Sequence, residues 1–301
     1  MYNRLGYACL CITLRERKPS VFASRGVTKK TIERDGLDVV GHRALLNCRD
    51  LLAILEWNEA HEIRFFRISS DLWPWMGVHD VRATSSWPAI QEALRDAGAY
   101  ARDKGHRLTF HPPHFVKLAS PDPVLVQKSM DELETHSLIF DLMGYETASP
   151  ENKINIHVGG AYGDKQKSMD RFAASYRRLS PRCRARLTVE NDDTRAGYSV
   201  RDLFGGLFRQ CGIPIVFDLH HHQFNTGGLS EEEAFQMAVA TWPADVTPVV
   251  HWSESDPYRR PNAHSDFVQG PIRVYGRVDV MIEAKAKEKA LLRYRQSRKE
   301  I

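Results

Sequence analysis

An α/β fold, a single (β/α)8 TIM barrel with a metal site at its C-terminal mouth, is what this 301-residue chain predicts. Three observations carry the prediction. Eight short apolar runs alternate with longer segments, six of them of helical period, which is the pattern of parallel βα units. Eight such units close into a barrel of ~250 residues, a length this chain accommodates with loops to spare. From the third unit onward each run ends on His, Asp or Glu, mostly near the ~31-residue interval of an eightfold repeat.

The strand-like runs fall at 5–9, 63–68, 107–111, 153–158, 186–190, 213–218, 247–251 and 278–283. Helical periodicity marks 46–59, 89–104, 123–143, 168–179, 199–210 and 230–241 between them. The last of these opens on "SEEEAF", a serine cap followed by acids that favour the positive end of a helix dipole. Residues 18–41 form an irregular insertion after the first strand. Residues 252–277 hold Pro257, Pro261 and Pro271 and no clear helix, so a long functional loop is expected there. The charged tail 284–301 has helical character, and the whole, 1–301, reads as a single barrel domain.

The run ends carry the chemistry. They are His111 in "LTFHPPH", His157 in "INIHVGG", Glu190 in "LTVENDD", Asp218 in "IVFDLHHH", His251 in "VVHWSE" and Glu283 in "VMIEAK". In a parallel barrel these positions converge on the C-terminal rim, where sites of this fold are built. Three imidazoles and three carboxylates are costly to bury unpaired, and divalent cations remove that cost. A hydrogen-bonded His or a capping acid is the commoner role for any one of them, but six in register favour metal. Of His220, His221 and His222, an extended chain would send alternate side chains to opposite faces, so His221 is the expected ligand. His264, in "RRPNAHSDF", is either a further ligand descending from the long loop or a solvated loop residue.

Composition narrows the class. Hydrophobic residues make up 42% and charged residues 27%, ordinary values that exclude whole-chain disorder. The net charge of +4 suits a polyanionic partner without requiring one. Five scattered cysteines without a CxxC argue against a zinc ribbon or disulfide scaffold and for reduced thiols. The N-terminal apolar stretch is too short for a signal peptide, and no run approaches the ~20 residues of a membrane span. A cytoplasmic or nucleoid-associated monomer with no membrane partner is expected.

Taken together, "RLGYAC", "HVGGAYGDK", "VENDD", "FDLHHHQFN", "HWSES", "RRPNAH" and "VMIEAKAKE" resemble the ultraviolet-damage endonucleases, metal-dependent DNA repair enzymes with a (β/α)8 barrel, over nearly the whole chain. The resemblance implies damaged double-stranded DNA as partner and two or three divalent ions, manganese foremost, with zinc or magnesium as alternatives. It implies His111, His157, Glu190, Asp218, His221, His251, His264 and Glu283 as ligands, Glu190 and Lys285 in catalysis, and Tyr7 near the lesion. Water would attack a backbone phosphorus in line with help from the ions, immediately 5′ of the lesion, leaving 3′-hydroxyl and 5′-phosphate ends. Lys285 would neutralise phosphoryl charge or pair with a neighbouring acid.

Departures from the family pattern are specific. Pro113-His114-Phe115 replaces a Gly-Gln-Tyr run whose Gln and Tyr probe damaged bases; His114 can still donate a hydrogen bond and Phe115 can still wedge. Val249 replaces a lysine found in some members, Cys11 a common asparagine, and Asp71 a histidine of one type. Arg15, Arg17, Lys18, Arg25, Lys29 and Lys30 in the first loop, with Arg259 and Arg260 in the last, are expected to contact phosphates. A divalent-metal sugar isomerase or epimerase and an apurinic-site endonuclease are the alternatives. The basic loops and the pairing of His221 with His264 separate the first of them from a nuclease.

Overall fold

A computed structural model describes residues 2–299. Eight parallel strands fill the predicted runs: β1 Leu5–Ala8, β2 Phe65–Arg67, β3 Arg107–Thr109, β4 Ile154–Ile156, β5 Leu187–Glu190, β6 Ile215–Asp218, β7 Val249–Trp252 and β8 Asp279–Ile282. They follow the order β3-β2-β1-β8-β7-β6-β5-β4. A parallel bridge from Phe110 to Ile154 joins β3 to β4 and closes the ring. Its bonds run from Phe110 N to Lys153 O, 2.9 Å, and from Asn155 N to Phe110 O, 3.0 Å.

Alternation along each strand sorts side chains between the barrel interior and the helical shell. Inside, Ala8, Phe65, Val216, Val249 and Met281 pack as one apolar cluster. At the N-terminal end the buried Arg107 guanidinium reaches Asp279 Oδ2 at 2.8 Å and the Thr247 carbonyl at 2.7 Å, so its charge is paired and hydrogen-bonded. The C-terminal end of the interior is polar and forms the site described below.

The shell departs from the sequence reading mainly near the N-terminus. The helix expected at 46–59 runs Asp38–Ala60, and a second helix, Lys29–Asp35, occupies part of the insertion expected to be irregular. The long helix begins without a side-chain cap and passes through Gly41, whose missing Cβ leaves room for Thr84. In the next helix, Trp87–Asp103, an added Cβ on Gly98 would lie 2.0 Å from the Met143 carbonyl oxygen, so glycine is required for that packing. The serine cap before Glu231–Val239 is present as a reciprocal capping box with Glu233.

Residues 252–277 hold no helix. Within them, 254–265 double back as a hairpin: Ser255 bridges His264, Asp256 N donates to Ala263 O at 2.8 Å, and Ser265 N donates to Glu254 O at 2.8 Å. The tail forms the helix Lys287–Lys299. Among the described residues, no helix is long and apolar enough to cross a membrane.

Candidate metal centre

The C-terminal strand ends converge as the repeat requires. Glu190 is fully enclosed and lies at the centre, with His111 Nε2 at 3.1 Å and His251 Nδ1 at 3.2 Å from its Oε2. His221 Nδ1 stands 3.3 Å from Oε1. His251 Nδ1 is also 3.1 Å from Glu283 Oε1 and 3.9 Å from Asp218 Oδ2. Three donor sets result, each with ligand atoms within 4.8 Å of one another: His111, His157 and Glu190; Glu190, Asp218 and His221; Asp218, His251 and Glu283. Glu190 and Asp218 each belong to two sets, so their paired oxygens link the three.

The outer contacts of the histidines suit cation ligation. His111 Nδ1 donates to Pro112 O (3.1 Å), His157 Nδ1 to Asp192 Oδ1 (2.7 Å), His221 Nδ1 to Asn191 O (2.8 Å) and His264 Nδ1 to Glu283 O (2.9 Å). Each bond places a proton on Nδ1, so that Nε2 would be the atom to meet a cation, for His111 in place of its 3.1 Å contact with Glu190 Oε2, the usual support for a metal-bound imidazole. His251 is turned the other way, with Nδ1 among the carboxylates and Nε2 at 3.4 Å from Lys153 Nζ. Asp218 Oδ2 and His251 Nδ1 are buried without a hydrogen-bond partner, an expensive arrangement that a cation between them would relieve. The residues present therefore fit divalent ions.

The electrostatics point the same way. Burial alone would raise the Glu190 carboxyl, but His251, His157 and the hydrogen bond from His111 hold it well below the usual carboxylate range. Burial lowers His157 and His221, yet the surrounding carboxylates outweigh it and both are raised to about 9. Asp218 is pushed up to about 6 by burial, with Glu190 and Glu283 adding to that and His221 opposing it. The cavity thus favours positive charge on His157 and His221, while burial lowers His111 and His251, and it disfavours a third negative carboxylate.

The model of the UV-endonuclease UvdE family matches residues 3–301. The chain belongs to this family. Among its UvdE relatives, the UV-damage endonuclease of Schizosaccharomyces pombe is 38% identical over 301 residues, covering 96% of this chain and 49% of that protein. This chain thus spans about half the length of that relative. The crystal structure of SacUVDE superposes with a TM-score of 0.84 at 30% identity, covering 99% of this chain and 98% of that one. D-psicose 3-epimerase from Clostridium cellulolyticum H10 has a TM-score of 0.52 at 14% identity over 78% of this chain and 80% of its own, a likeness of fold alone.

Against the UvdE pattern, the remaining expected residues divide. His114 and Phe115 are exposed on the loop after β3, their rings 4.1 Å apart. Lys285 Nζ lies 3.6 Å from Asp256 Oδ2, and Arg259 Nε 3.1 Å from the same carboxylate, while Arg260 is exposed. Arg25 is paired at 2.6 Å with Asp50 of the helix Asp38–Ala60. Tyr7 is a correction. Its side chain falls on the outward face of β1, fully buried against Phe66, and its hydroxyl donates to Asn58 Oδ1 at 2.7 Å, so it cannot reach a lesion. His221 sits at the mouth for a reason other than the one expected: the chain after Asp218 is the helix Leu219–Phe224, and Asp218 caps it through His221 N.

Four supporting residues escaped the sequence reading because nothing in a run of letters marks a neighbour across the barrel. Asn155 donates to Glu190 Oε2, and the buried Arg67 guanidinium pairs with Glu283. Asn191 clamps Asp218 with a bond to its carbonyl (3.0 Å) and one from its N–H (2.8 Å). Lys153 faces His251. The register offered one usable signal: Lys153, Asn155 and His157 share the inward face of one strand.

Proposed function

We propose that this chain is a divalent-metal-dependent DNA repair endonuclease that nicks duplex DNA immediately 5′ of ultraviolet photoproducts, leaving 3′-hydroxyl and 5′-phosphate ends. The observation that carries the reading is the linked triple of donor sets, sharing Glu190 and Asp218, at a mouth rimmed by Phe115 and a basic hairpin. His111, His157, Glu190, Asp218, His221, His251 and Glu283 hold two or three ions, with His264 at the outer edge; manganese is the favoured metal, with zinc and magnesium as alternatives. When bound, such ions activate water and stabilise charge on phosphoryl oxygens.

The protein's own groups do the rest. Glu190 and Asp218, each flanked by two donor sets, keep the ions in register. Lys285, held near Asp256, meets charge developing on the phosphate. Arg260 contacts the backbone. His114 and Phe115 probe the damaged step, the ring as a wedge and the imidazole as a hydrogen-bond donor, and a photoproduct is cheaper to unstack than an intact pair.

The test is nicking of irradiated, abasic and undamaged plasmid by the chelated protein with single metals restored. Irradiated plasmid should be cut with Mn2+, and Glu190→Gln and Asp218→Asn should each abolish cutting while far-ultraviolet circular dichroism stays unchanged. Full nicking by both variants would remove the metal-centre reading, and cutting of abasic plasmid alone would replace the photoproduct reading with the apurinic one.

A further inference from the structure

Tyr258 is 95% exposed, more than any other large apolar side chain among the exposed residues, in a chain whose other aromatics are mostly sheltered. It stands at the tip of the 254–265 hairpin, beside Arg259 and Arg260. That tip is not slack. Tyr258 N donates to Asp256 Oδ1 at 2.9 Å, Ala263 N donates to Arg260 O at 2.8 Å, and Asn262 Nδ2 ties the returning strand to Asp193 Oδ2 at 2.6 Å. The base of the hairpin carries His264, within 2.9 Å of the Glu283 carbonyl. A ring held out in water on a braced support, next to arginines, has the chemistry of a stacking platform for nucleic acid.

The ring order of the barrel adds position. Phe115, 65% exposed, follows β3, and the hairpin follows β7. In the closed order these strands are four places apart in either direction, so the two loops stand diametrically across the mouth with the donor sets between them. A duplex laid over the centre meets one aromatic on each side.

We propose that Tyr258 stacks on a nucleobase of the bound duplex, on the far side of the metal centre from Phe115, an inference that rests on the endonuclease reading. The partner is a base face rather than a hydrogen-bonding edge, because the ring is exposed as a whole and its flanking cations suit the adjoining phosphates. Arg259 is partly spent on Asp256, so the aromatic ring carries the base contact and Arg260 the phosphate contact.

The experiment measures equilibrium binding to a short duplex with one photoproduct and 2-aminopurine placed on either side of it in turn. Tyr258→Ala should weaken binding roughly 10- to 100-fold, the range of a lost base–aromatic stack. It should also abolish the fluorescence change on one side of the lesion, while Phe115→Ala abolishes it on the other. Tyr258→Phe and Tyr258→Trp should both restore binding. A Tyr258→Ala protein that binds within twofold of the parent overturns the assignment and leaves the endonuclease reading standing. Loss in Tyr258→Phe equal to that in Tyr258→Ala overturns it as well, since a hydroxyl contact would then be at work. A parent protein that binds no duplex, damaged or intact, removes both readings together.

Discussion

His251 presents Nδ1 to the carboxylates, so its Nε2 must carry the proton whenever Nδ1 binds a cation, and its neighbour there is Lys153 Nζ at 3.4 Å. Burial, with Arg67 and Arg107 adding to it and Glu190 opposing, pushes that amine down to about 7, which lets it accept a hydrogen bond near neutrality. Lys153→Met should therefore lower cation affinity about 10- to 100-fold in titration calorimetry, the usual loss for an outer support of a ligand. The chelated variant should melt no lower than the chelated parent, because an apolar chain replaces a buried amine; unchanged affinity would sink the role. Tyr7→Phe tests the correction at β1: stranding Asn58 Oδ1 should cost about 1–3 kcal/mol in urea denaturation, with the ratio of nicking on irradiated to intact plasmid unaltered. The six residues that converge at the mouth, His111, His157, Glu190, Asp218, His251 and Glu283, could be read from the sequence because each closes a repeat. Tyr7 was misplaced because a strand's inward and outward faces differ by one residue, and no motif states which face is which.

At the next scale, the segment from Ser70 to His79 docks on the helix Pro123–Leu142, where a Cβ added to Gly77, at φ +74°, would lie 2.8 Å from the Lys128 carbonyl oxygen. Glu132 of that helix is raised from its ordinary value of 4.5 to about 7 by burial and by Asp71 opposite. A carboxyl raised on folding stabilises the protein below its unfolded value and loses that contribution as pH rises through the folded one. Glu132→Gln should therefore melt like the parent near pH 4.5 and above it at pH 8, a difference that scanning fluorimetry reads directly; an equal offset at both pH values would show that ionisation is not the cause. All eight strands were legible in the sequence, because a buried parallel strand is a short apolar run bounded by polar residues. The start of Asp38–Ala60 was not, since it lacks a cap and its first turns contain Gly41, placed by a contact with Thr84 rather than by helix propensity.

For the molecule as a whole, the cost of gathering Glu190, Asp218 and Glu283 at one rim predicts that chelation lowers the melting temperature. Restoring an ion at a hundred times its Kd should return about 2.7 kcal/mol per site, and a melting temperature indifferent to chelator would count against resident cations. Duplex affinity should fall linearly on a log–log plot against salt if phosphates are contacted, the slope counting them. The closed barrel and its mouth followed from the eightfold spacing, whereas the hairpin at 254–265 did not, because its few cross-strand bonds leave no periodic trace. That hairpin bears Tyr258 at one end and His264 at the other, so on the proposed reading a duplex contact and the outer edge of the metal centre would share one lever. Linkage would then be reciprocal: whatever factor a docked duplex adds to the hold on the ions, filled ions must add to the hold on the duplex.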